Sequence, residues 1–514
     1  MPNRTEQNAS GSPIDIGKKK QLFLDELLIE SKKGVTLTFN PPYTPRENLL
    51  PQDKPWEEVR AGGFSSILEH EGLYHLWYNS YGGSRDPMSE KTGPRFECYA
   101  FSKDGVHWEK PNVGLIPPEG VTPLPAGGNY TIEPRVRGDK TNNIVRGFNS
   151  GQTFVDPFDI PSRRFKTIMG LSPTKAVGWD GWAAMKKVKG HSLYLAYSPD
   201  GIHWDLEAEP VLPFATGITS TVWDDSLQKW VVYVRVSIKG HKGDPWKSHI
   251  AYARVAVDKD KLAQPYPFTP DPNKKLNAYG SYGSMSYELP IVFEADERDP
   301  DHQVYTLPVV RYPEADLYLA FPCMWYPTVS DCDDAQFAFS RDGIKWQRPF
   351  RQPIIRLGMP GSGSEGYIDV TTGMIRRGNE LWIYYTGLPE RHLSPNVKWE
   401  SIFARAIYRL DGFVSADAEF DGGELITRPL MFGGSNLELN LDTSAGGWAH
   451  VELQNESGQP IPGYTLKDAE KLNGNSVSMK ANWGARLDLR ELIGKPVRVR
   501  FVLRNCKFYA FQFV

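Results

Sequence analysis

A seven-residue motif, Ser-x-Asp-Gly-(Ile/Val)-x-Trp, occurs three times in this sequence, at residues 102–108, 198–204 and 340–346. Each copy follows a short apolar stretch, which is typical of a β-strand that enters a tight turn. The Asp-Gly pair supplies a turn with positive φ, and the Trp is expected to pack the returning strand. Repeats of this kind predict a β-propeller in which each repeat belongs to one blade.

Each motif closes a longer unit that begins with an inner strand, a turn and an aromatic-rich second strand. Five such units fit between residues 20 and 410, at roughly 75 to 80 residues each, which exceeds compact repeats and leaves long loops. Long loops in a compact domain usually carry function. The predicted inner and second strands are 63–68 and 73–78, 152–155 and 164–169, 218–223 and 230–235, 304–310 and 317–321, and 367–375 and 381–385.

The chain changes character after Leu410. Apolar residues alternate at Leu437, Leu439 and Leu441, and again from residue 497 onward, which predicts strands with one buried face. This texture is typical of a β-sandwich of about 100 residues. Helix signals are nearly absent along the whole chain.

The predicted fold is therefore all-β: a five-bladed β-propeller over residues 21–410, followed by a C-terminal β-sandwich over residues 411–514. Residues 1–20 are predicted to be a polar N-terminal tail. Residues 21–25 are expected to form a strand that completes the last blade, because such a strand would close the ring and remove an open sheet edge.

Composition limits the partners that the chain can bind. The 514 residues carry a net charge of −3 without a basic cluster, so we expect no nucleic acid and no membrane partner. Trp, Tyr and Phe number 15, 24 and 24, an abundance that suits sugar-ring stacking as well as a large core. The first twenty residues lack an apolar signal core, which favours a cytoplasmic protein, or a secreted or periplasmic one whose signal peptide was removed. The sequence leaves open whether the protein is a monomer or a homo-oligomer.

Neither a disulfide framework nor a zinc site is indicated. The 4 cysteines are scattered and are expected to be free thiols, although Cys323 and Cys332 are near enough in sequence to pair. We expect no cofactor. The run of Asp331, Asp333 and Asp334 offers hard oxygen ligands for a structural calcium ion, but a solvated acidic loop is the favoured interpretation.

Four short segments carry a family resemblance. Phe-Leu-Asp-Glu at 23–26 leads to Pro-Trp-Glu at 55–57, and the C-terminal part contains Gly-Lys-Pro-Val at 494–497 and Phe-Tyr-Ala-Phe at 508–511. With the propeller and the sandwich, they resemble a bacterial branch of the superfamily that includes glycoside hydrolase families 32 and 43. The resemblance implies a glycoside hydrolase that acts on an oligosaccharide or polysaccharide. It would attack a terminal sugar in an axial pocket with paired carboxylates.

Two other functions stay open. The Trp-Met-Asn-Asp-Pro segment typical of family 32 is absent, which is compatible with a non-catalytic carbohydrate-binding or scaffold protein. A polysaccharide lyase would act on uronates with a set of Tyr, His and Arg side chains. Product absorbance in the ultraviolet separates a lyase from a hydrolase, because a lyase leaves an unsaturated sugar.

The geometry of a propeller narrows the candidate carboxylates. Residues before the inner strands and residues after the second strands should meet on one rim near the axis, and glycoside hydrolysis needs two carboxyl groups there. The predicted pair is Glu365 with either Glu57 or Glu58, and Asp369 is a supporting or alternative catalytic group. Asp369 is expected inside the inner strand of the fifth unit.

Substrate-binding side chains are predicted on the same rim, where Arg orients hydroxyl or acidic groups and aromatic rings stack on sugars. The opposite rim should hold the turns between first and second strands, including Asp156 and Asp224, which are expected to form Asx-turns. The predicted substrate-binding residues are Trp56, Arg60, Asn143, Arg235 and His302.

Overall fold

The structure is a computed structural model of the 514-residue chain. Its regular structure is almost entirely β. The described residues contain no α-helix, and only three short 3₁₀ turns occur, at Pro55–Glu57, Pro161–Arg163 and Arg490–Leu492. The prediction of an all-β fold is confirmed. The described residues are 12–57, 60–81, 95–115, 141–147, 150–171, 192–213, 215, 217–239, 248–266, 289–299, 303–392, 400–484, 486 and 488–514.

Five sheets lie between residues 60 and 409, and each contains the predicted second strand of one unit, while the predicted inner strand 304–310 is divided between two sheets. We number them blade 1 to blade 5. Neighbouring strands in blades 1 to 3 are antiparallel. The strands are Arg60–Ala61, Ser66–His70, Leu73–Tyr81, Arg95–Ser102, Trp108–Glu109 and Ile144–Gly147 in blade 1; Thr153–Val155, Phe165–Leu171, Ser192–Ser198, Asp205–Leu206 and Leu212–Pro213 in blade 2; and Thr219–Asp224, Lys229–Lys239, Ser248–Asp258 and Ile291–Phe293 in blade 3.

Blades 4 and 5 are linked by hydrogen bonds. Three short strands that continue the fourth unit join the sheet of blade 5, where Asp333–Ala335 pairs in parallel with Tyr367–Val370. This junction brings Asp333 and Asp369, which are distant in sequence, into one sheet. The strands are Val309–Tyr312, Leu317–Ala320, Ala338–Ser340 and Trp346–Gln347 in blade 4; and Gln303–Thr306, Cys323–Trp325, Asp333–Ala335, Tyr367–Val370, Ile375–Arg377, Glu380–Leu388 and Ile402–Arg409 in the sheet of blade 5.

The repeated motif forms the predicted tight turn. In its first copy the Ser102 hydroxyl accepts a hydrogen bond from the Gly105 amide at 2.9 Å, and the Asp104 carboxylate accepts one from the Val106 amide at 2.8 Å. Gly105 has φ of 75°, a conformation that strongly favours glycine. The other two copies repeat these hydrogen bonds.

The motif turns also join neighbouring blades. The Gly201 carbonyl of blade 2 accepts a hydrogen bond from Trp77 Nε1 of blade 1 at 2.7 Å. The Gly105 carbonyl of blade 1 accepts one from the Tyr384 hydroxyl of blade 5 at 2.8 Å. Because the last sheet thereby contacts the first, the five sheets form a closed ring.

Two further sheets share one hydrophobic cluster, in which Leu439, Phe501 and Phe508 are fully buried. The predicted alternation at Leu437, Leu439 and Leu441 places all three side chains in this core. The strands are Ile14–Gly17, Ile29–Lys33, Gly423–Thr427, Leu430–Phe432, Trp448–Asn455 and Val497–Arg504 in one sheet; and Gln21–Leu22, Val35–Phe39, Val414–Ala418, Leu437–Asp442, Asn475–Lys480 and Cys506–Phe513 in the other.

The N-terminal strands belong to these two sheets, so the prediction that residues 21–25 complete the last blade is wrong. Gln21–Leu22 pairs with Cys506–Phe513. The reason lies in packing: Phe23 enters the core shared by these two sheets, while Leu22 and Leu24 pack in the cluster of blades 4 and 5. The strand itself is Gln21–Leu22, but the segment from residue 21 to 24 has two apolar sides, as a blade strand would.

All four cysteines are free and buried, as expected. Within the described residues, no helix is long and apolar enough to span a membrane.

Candidate functional site

Asp369 lies on the inner strand Tyr367–Val370 of blade 5 and is 2% exposed. Its Oδ2 accepts a hydrogen bond from the Phe64 amide at 2.5 Å and lies 3.9 Å from Arg60 Nη2. Its Oδ1 is buried and has no hydrogen-bond partner among the described residues. Burial raises the pKa of Asp369 to about 6, and the Arg60 charge and the Phe64 amide oppose this rise.

A small cavity beside Asp369 marks the axis of the ring. It has room for about one water molecule. Every blade contributes to its wall, in chain order Ser65, Gly151, Ser220, Leu307 and Asp369. Asp369 therefore lies at the axis, as predicted for a residue of this inner strand.

Asp333 is the second carboxyl group of the site. It lies directly opposite Tyr367 on the parallel strand, so Asp333 and Asp369 are on one face of the sheet. A strand spacing of about 4.8 Å and a rise of about 3.3 Å per residue put their Cα atoms about 8 Å apart. The Asp333 side chain is fully buried and neither oxygen has a hydrogen-bond partner among the described residues, although His392 Nδ1 lies 3.4 Å from Oδ2.

Electrostatics couple these two carboxyl groups. Burial raises the pKa of Asp333 to about 6; His392 lowers it, and the charge of Asp369 raises it further. Two nearby carboxyl groups with raised pKa values can hold one proton between them at mildly acidic pH. That state supplies an acid and a base in one site.

The interpretation of residues 331–334 as a solvated acidic loop is wrong for Asp333, because this side chain is fully buried. Its two neighbours have separate partners: Asp331 accepts a hydrogen bond from Trp325 Nε1, and Asp334 accepts one from the Tyr326 hydroxyl. Over the described ranges, no group of three or more His, Cys, Asp or Glu side chains could hold a metal ion.

Glu390 is a third buried carboxyl group, two residues beyond the strand Glu380–Leu388. Its Oε2 has no hydrogen-bond partner in the described part of the chain. Burial raises its pKa to about 7, and the negative charge of Glu365 contributes to the rise. A substantial fraction of Glu390 is therefore protonated at neutral pH.

Cationic and aromatic side chains surround the carboxyl groups. Arg60 lies over the rings of Tyr81 and Tyr367, at 5.3 and 5.6 Å from their centroids. Arg235 lies 4.8 Å from the centroid of Tyr305, whose ring contacts His392 edge-on at 4.3 Å. Arg235, Tyr305 and His392 are partly exposed, so the open side of the site carries an Arg, a phenol and an imidazole.

The structure brings together three of the predicted site residues, Asp369, Arg60 and Arg235. Glu57, Trp56 and Asn143 lie in a separate, buried network. Glu57 accepts hydrogen bonds from the Tyr78 hydroxyl at 2.6 Å and from Lys110 Nζ at 2.8 Å. Trp56 Nε1 donates to Asn143 Oδ1 at 3.0 Å, and Asn143 donates to the Tyr78 hydroxyl at 2.8 Å. Each polar group of this network is occupied by the protein itself.

Glu365 binds its own glycine-rich loop. Its carboxylate accepts hydrogen bonds from the amides of Gly361 at 2.7 Å and Ser364 at 2.9 Å. Burial tends to raise its pKa, but these amides lower it below the usual value. The hydrogen-bond partners of Glu365 and of Glu57 do not overlap. Glu58 and His302 lie outside the described residues.

Asp333, Glu390 and His392 each follow a second strand, so the sequence places them on the functional rim, but they were not among the predicted catalytic and substrate-binding residues. Tyr305, on a strand before the predicted rim loops, was not predicted at all. The opposite rim agrees with prediction: Asp156 accepts a hydrogen bond from the Phe158 amide and Asp224 accepts one from the Ser226 amide, as Asx-turns require.

Comparisons with known proteins show that the backbone of this chain is similar to those of several solved structures. No protein-family model and no curated protein sequence matches the chain. A solved structure described as a glycoside hydrolase is similar, with a TM-score of 0.45 and 13% identity over 71% of this chain and 92% of that one. An N-acetylgalactosamine deacetylase from F. plautii has a TM-score of 0.41 and 12% identity, over 74% of this chain and 97% of that one.

A β-1,2-mannobiose phosphorylase from Listeria innocua is also similar, with a TM-score of 0.41 and 12% identity over 72% of this chain and 96% of that one. At this level the likeness assigns no activity to the chain. The functional conclusion therefore rests on the site itself: three buried carboxyl groups beside an arginine and aromatic rings, next to the axis of a closed ring of sheets.

Proposed function

We propose that this protein is a glycoside hydrolase that removes a terminal sugar from an oligosaccharide or polysaccharide. One observation carries the proposal. Asp333, Asp369 and Glu390 are buried, and each has a carboxyl oxygen that no described residue satisfies. Buried polar atoms without partners are costly, so a folded protein retains them where a ligand uses them.

The surroundings suggest different roles for the paired carboxyl groups. Asp369 accepts a hydrogen bond from the Phe64 amide and lies near the Arg60 guanidinium group, and both contacts favour its ionised form. Asp369 is therefore suited to act as the base or nucleophile. Asp333 accepts no backbone amide among the described residues and has only His392 Nδ1 nearby, at 3.4 Å, so we assign it the role of the general acid that protonates the leaving oxygen. Glu390 would bind a sugar hydroxyl.

The axial cavity supports exo-attack. Beside Asp369 the axis is open only to something the size of a water molecule. A polysaccharide chain cannot thread through such a space, so its end would have to enter from the side of Arg235 and Tyr305. Repeated release of monosaccharide from the start of a digestion would support this mode, and early release of longer fragments would contradict it.

The test is a broad glycan panel assayed with the wild type and with Asp369→Asn. Asp225→Asn is the matched control, because it makes the same chemical change at an exposed turn on the opposite rim. General acid–base groups contribute roughly 10²- to 10⁴-fold, so Asp369→Asn should lose at least that much turnover while the control keeps it.

Other outcomes of the panel would replace the proposal. An unsaturated product with ultraviolet absorbance would identify a lyase. Turnover that requires inorganic phosphate would identify a phosphorylase. Binding of a glycan without turnover by the wild type would identify a non-catalytic carbohydrate-binding protein.

A further inference from the structure

The turn that faces Asp369 has an unusual backbone. Gly62, Gly63 and Phe64 follow one another with φ of 105°, 81° and 45°. Positive φ is ordinary for glycine, but a bulky residue such as Phe64 rarely adopts it. Backbone conformations of this kind persist where the surrounding structure holds them, and they cluster at functional sites.

Close packing explains the two glycines. A Cβ atom at Gly63 would lie 1.8 Å from Arg60 Nη2, and one at Gly62 would lie 2.3 Å from Thr386 Oγ1. Arg60 therefore folds back across the turn, and its Nε donates a hydrogen bond to the Gly62 carbonyl at 3.1 Å. Any larger side chain at these positions would displace the guanidinium group or the threonine.

Two side chains hold the turn in place. Thr386 lies directly opposite Asp369 on the neighbouring strand, and its Oγ1 accepts a hydrogen bond from the Gly63 amide at 2.7 Å. Asn79 of blade 1 donates to the Gly63 carbonyl at 3.1 Å. The turn is thus fixed from blade 5 and from blade 1, and the next amide, that of Phe64, points at Asp369 Oδ2.

We propose that Thr386 is a positioning residue for Asp369: through the Gly63 amide it aims the Phe64 amide and Arg60 at Oδ2, and so leaves Oδ1 for the substrate. This inference rests on the proposed function for its catalytic meaning. The positioning itself has consequences that can be measured without a substrate.

Titratable groups from several elements surround Asp369, and each of them affects its pKa together with the contacts that Thr386 holds in place. The loss of the Phe64 amide and of Arg60 contact should raise the pKa of Asp369, because both favour the anion. The titratable and charged groups around it are Arg60, Tyr252, Tyr305, Cys323, Asp333, Tyr367 and His392.

The experiment follows the carboxyl band of Asp369 by infrared difference titration, with Asp369→Asn to identify the band. In Thr386→Val, which keeps the shape but removes the acceptor oxygen, the midpoint should rise by about one pH unit, as expected for one lost charge-assisted hydrogen bond. Thr386→Ser keeps the hydroxyl and should retain the wild-type midpoint. An unchanged midpoint in Thr386→Val, or an equal rise in Thr386→Ser, would overturn the proposal.

If Thr386→Val does not fold, Asn79→Leu provides a second variant, because it removes the hydrogen bond from Asn79 to the Gly63 carbonyl. The titration midpoint of Asp369 should rise in this variant as well. An unchanged midpoint would count against the proposal. Where a hydrolysed glycan is found, Thr386→Val should lower kcat by about tenfold to 100-fold with little change in KM, as misplaced catalytic groups do. If the wild type hydrolyses no glycan, the proposed function fails, while the infrared titration still decides the positioning.

Discussion

The contact between blades 1 and 2 predicts that one methyl group added at Gly201 strongly lowers the free energy of unfolding. Gly201 has φ of 76°, and a Cβ atom added there would lie 2.5 Å from Trp77 Cζ2. Gly201→Ala combines three costs: left-handed backbone of about 1 to 2 kcal/mol, overpacking of about 1 to 3 kcal/mol, and a weakened Trp77 hydrogen bond of about 1 kcal/mol. We expect a loss of about 3 to 6 kcal/mol in the free energy of unfolding.

Gly72→Ala is a matched control, because Gly72 has φ of 79° and nothing lies within 4 Å of an added Cβ atom. It carries only the backbone cost of about 1 to 2 kcal/mol. Urea unfolding of both variants, followed by tryptophan fluorescence and circular dichroism, measures the difference. Equal destabilisation of the two variants would refute the reasoning that the motif turn holds neighbouring blades together.

Three further predictions concern carboxyl groups. Asp333→Asn should raise the free energy of unfolding at pH 8 by up to about 3 kcal/mol, because the pKa of Asp333 in the folded protein, about 6, lies above its ordinary value of 3.8 and the buried charge opposes folding as pH rises past both values; a loss of stability in pH-dependent denaturation would contradict this. Hydrolysis should show a bell-shaped pH profile centred near pH 6, since Asp333 and Asp369 must hold one proton between them; a rate that keeps rising to pH 9 would count against the pair. Glu57→Gln should lower the free energy of unfolding by about 1 to 3 kcal/mol, because it weakens the hydrogen bonds from Tyr78 and Lys110 while Lys110 keeps Asp53 and the Pro51 carbonyl as partners, and turnover per folded molecule should be unchanged; thermal melts and kinetics together would detect the opposite pattern.

Local sequence signals were sufficient for the turns and the repeats. The Asp-Gly pairs, the Asx-turns and the alternating leucines depend on neighbours in the chain, so a short window contains their whole cause. The expectation that loops before the inner strands and after the second strands meet on one rim also placed Asp369, Arg60 and Arg235 on the same side of the ring, because the direction of the strands fixes which loops meet.

Properties that depend on distant partners could not be predicted in this way. Glu57 has the same local setting whether or not Lys110, 53 positions later in the chain, reaches its carboxylate. Asp333 lies in an acidic run that is typical of a solvated loop, and only the parallel pairing with Tyr367–Val370 buries it. Residues 21–25 carry apolar residues on both faces, which fits a blade strand and a strand between two domains equally well.

The most direct test of the site is a crystal structure of the Asp369→Asn variant with a sugar of the hydrolysed glycan bound. The account predicts that the terminal sugar lies within hydrogen-bond distance of residue 369 and of Asp333, against the open side formed by Arg235 and Tyr305. A sugar bound instead at the Trp56, Glu57 and Asn143 network, with the axial site empty, would contradict it.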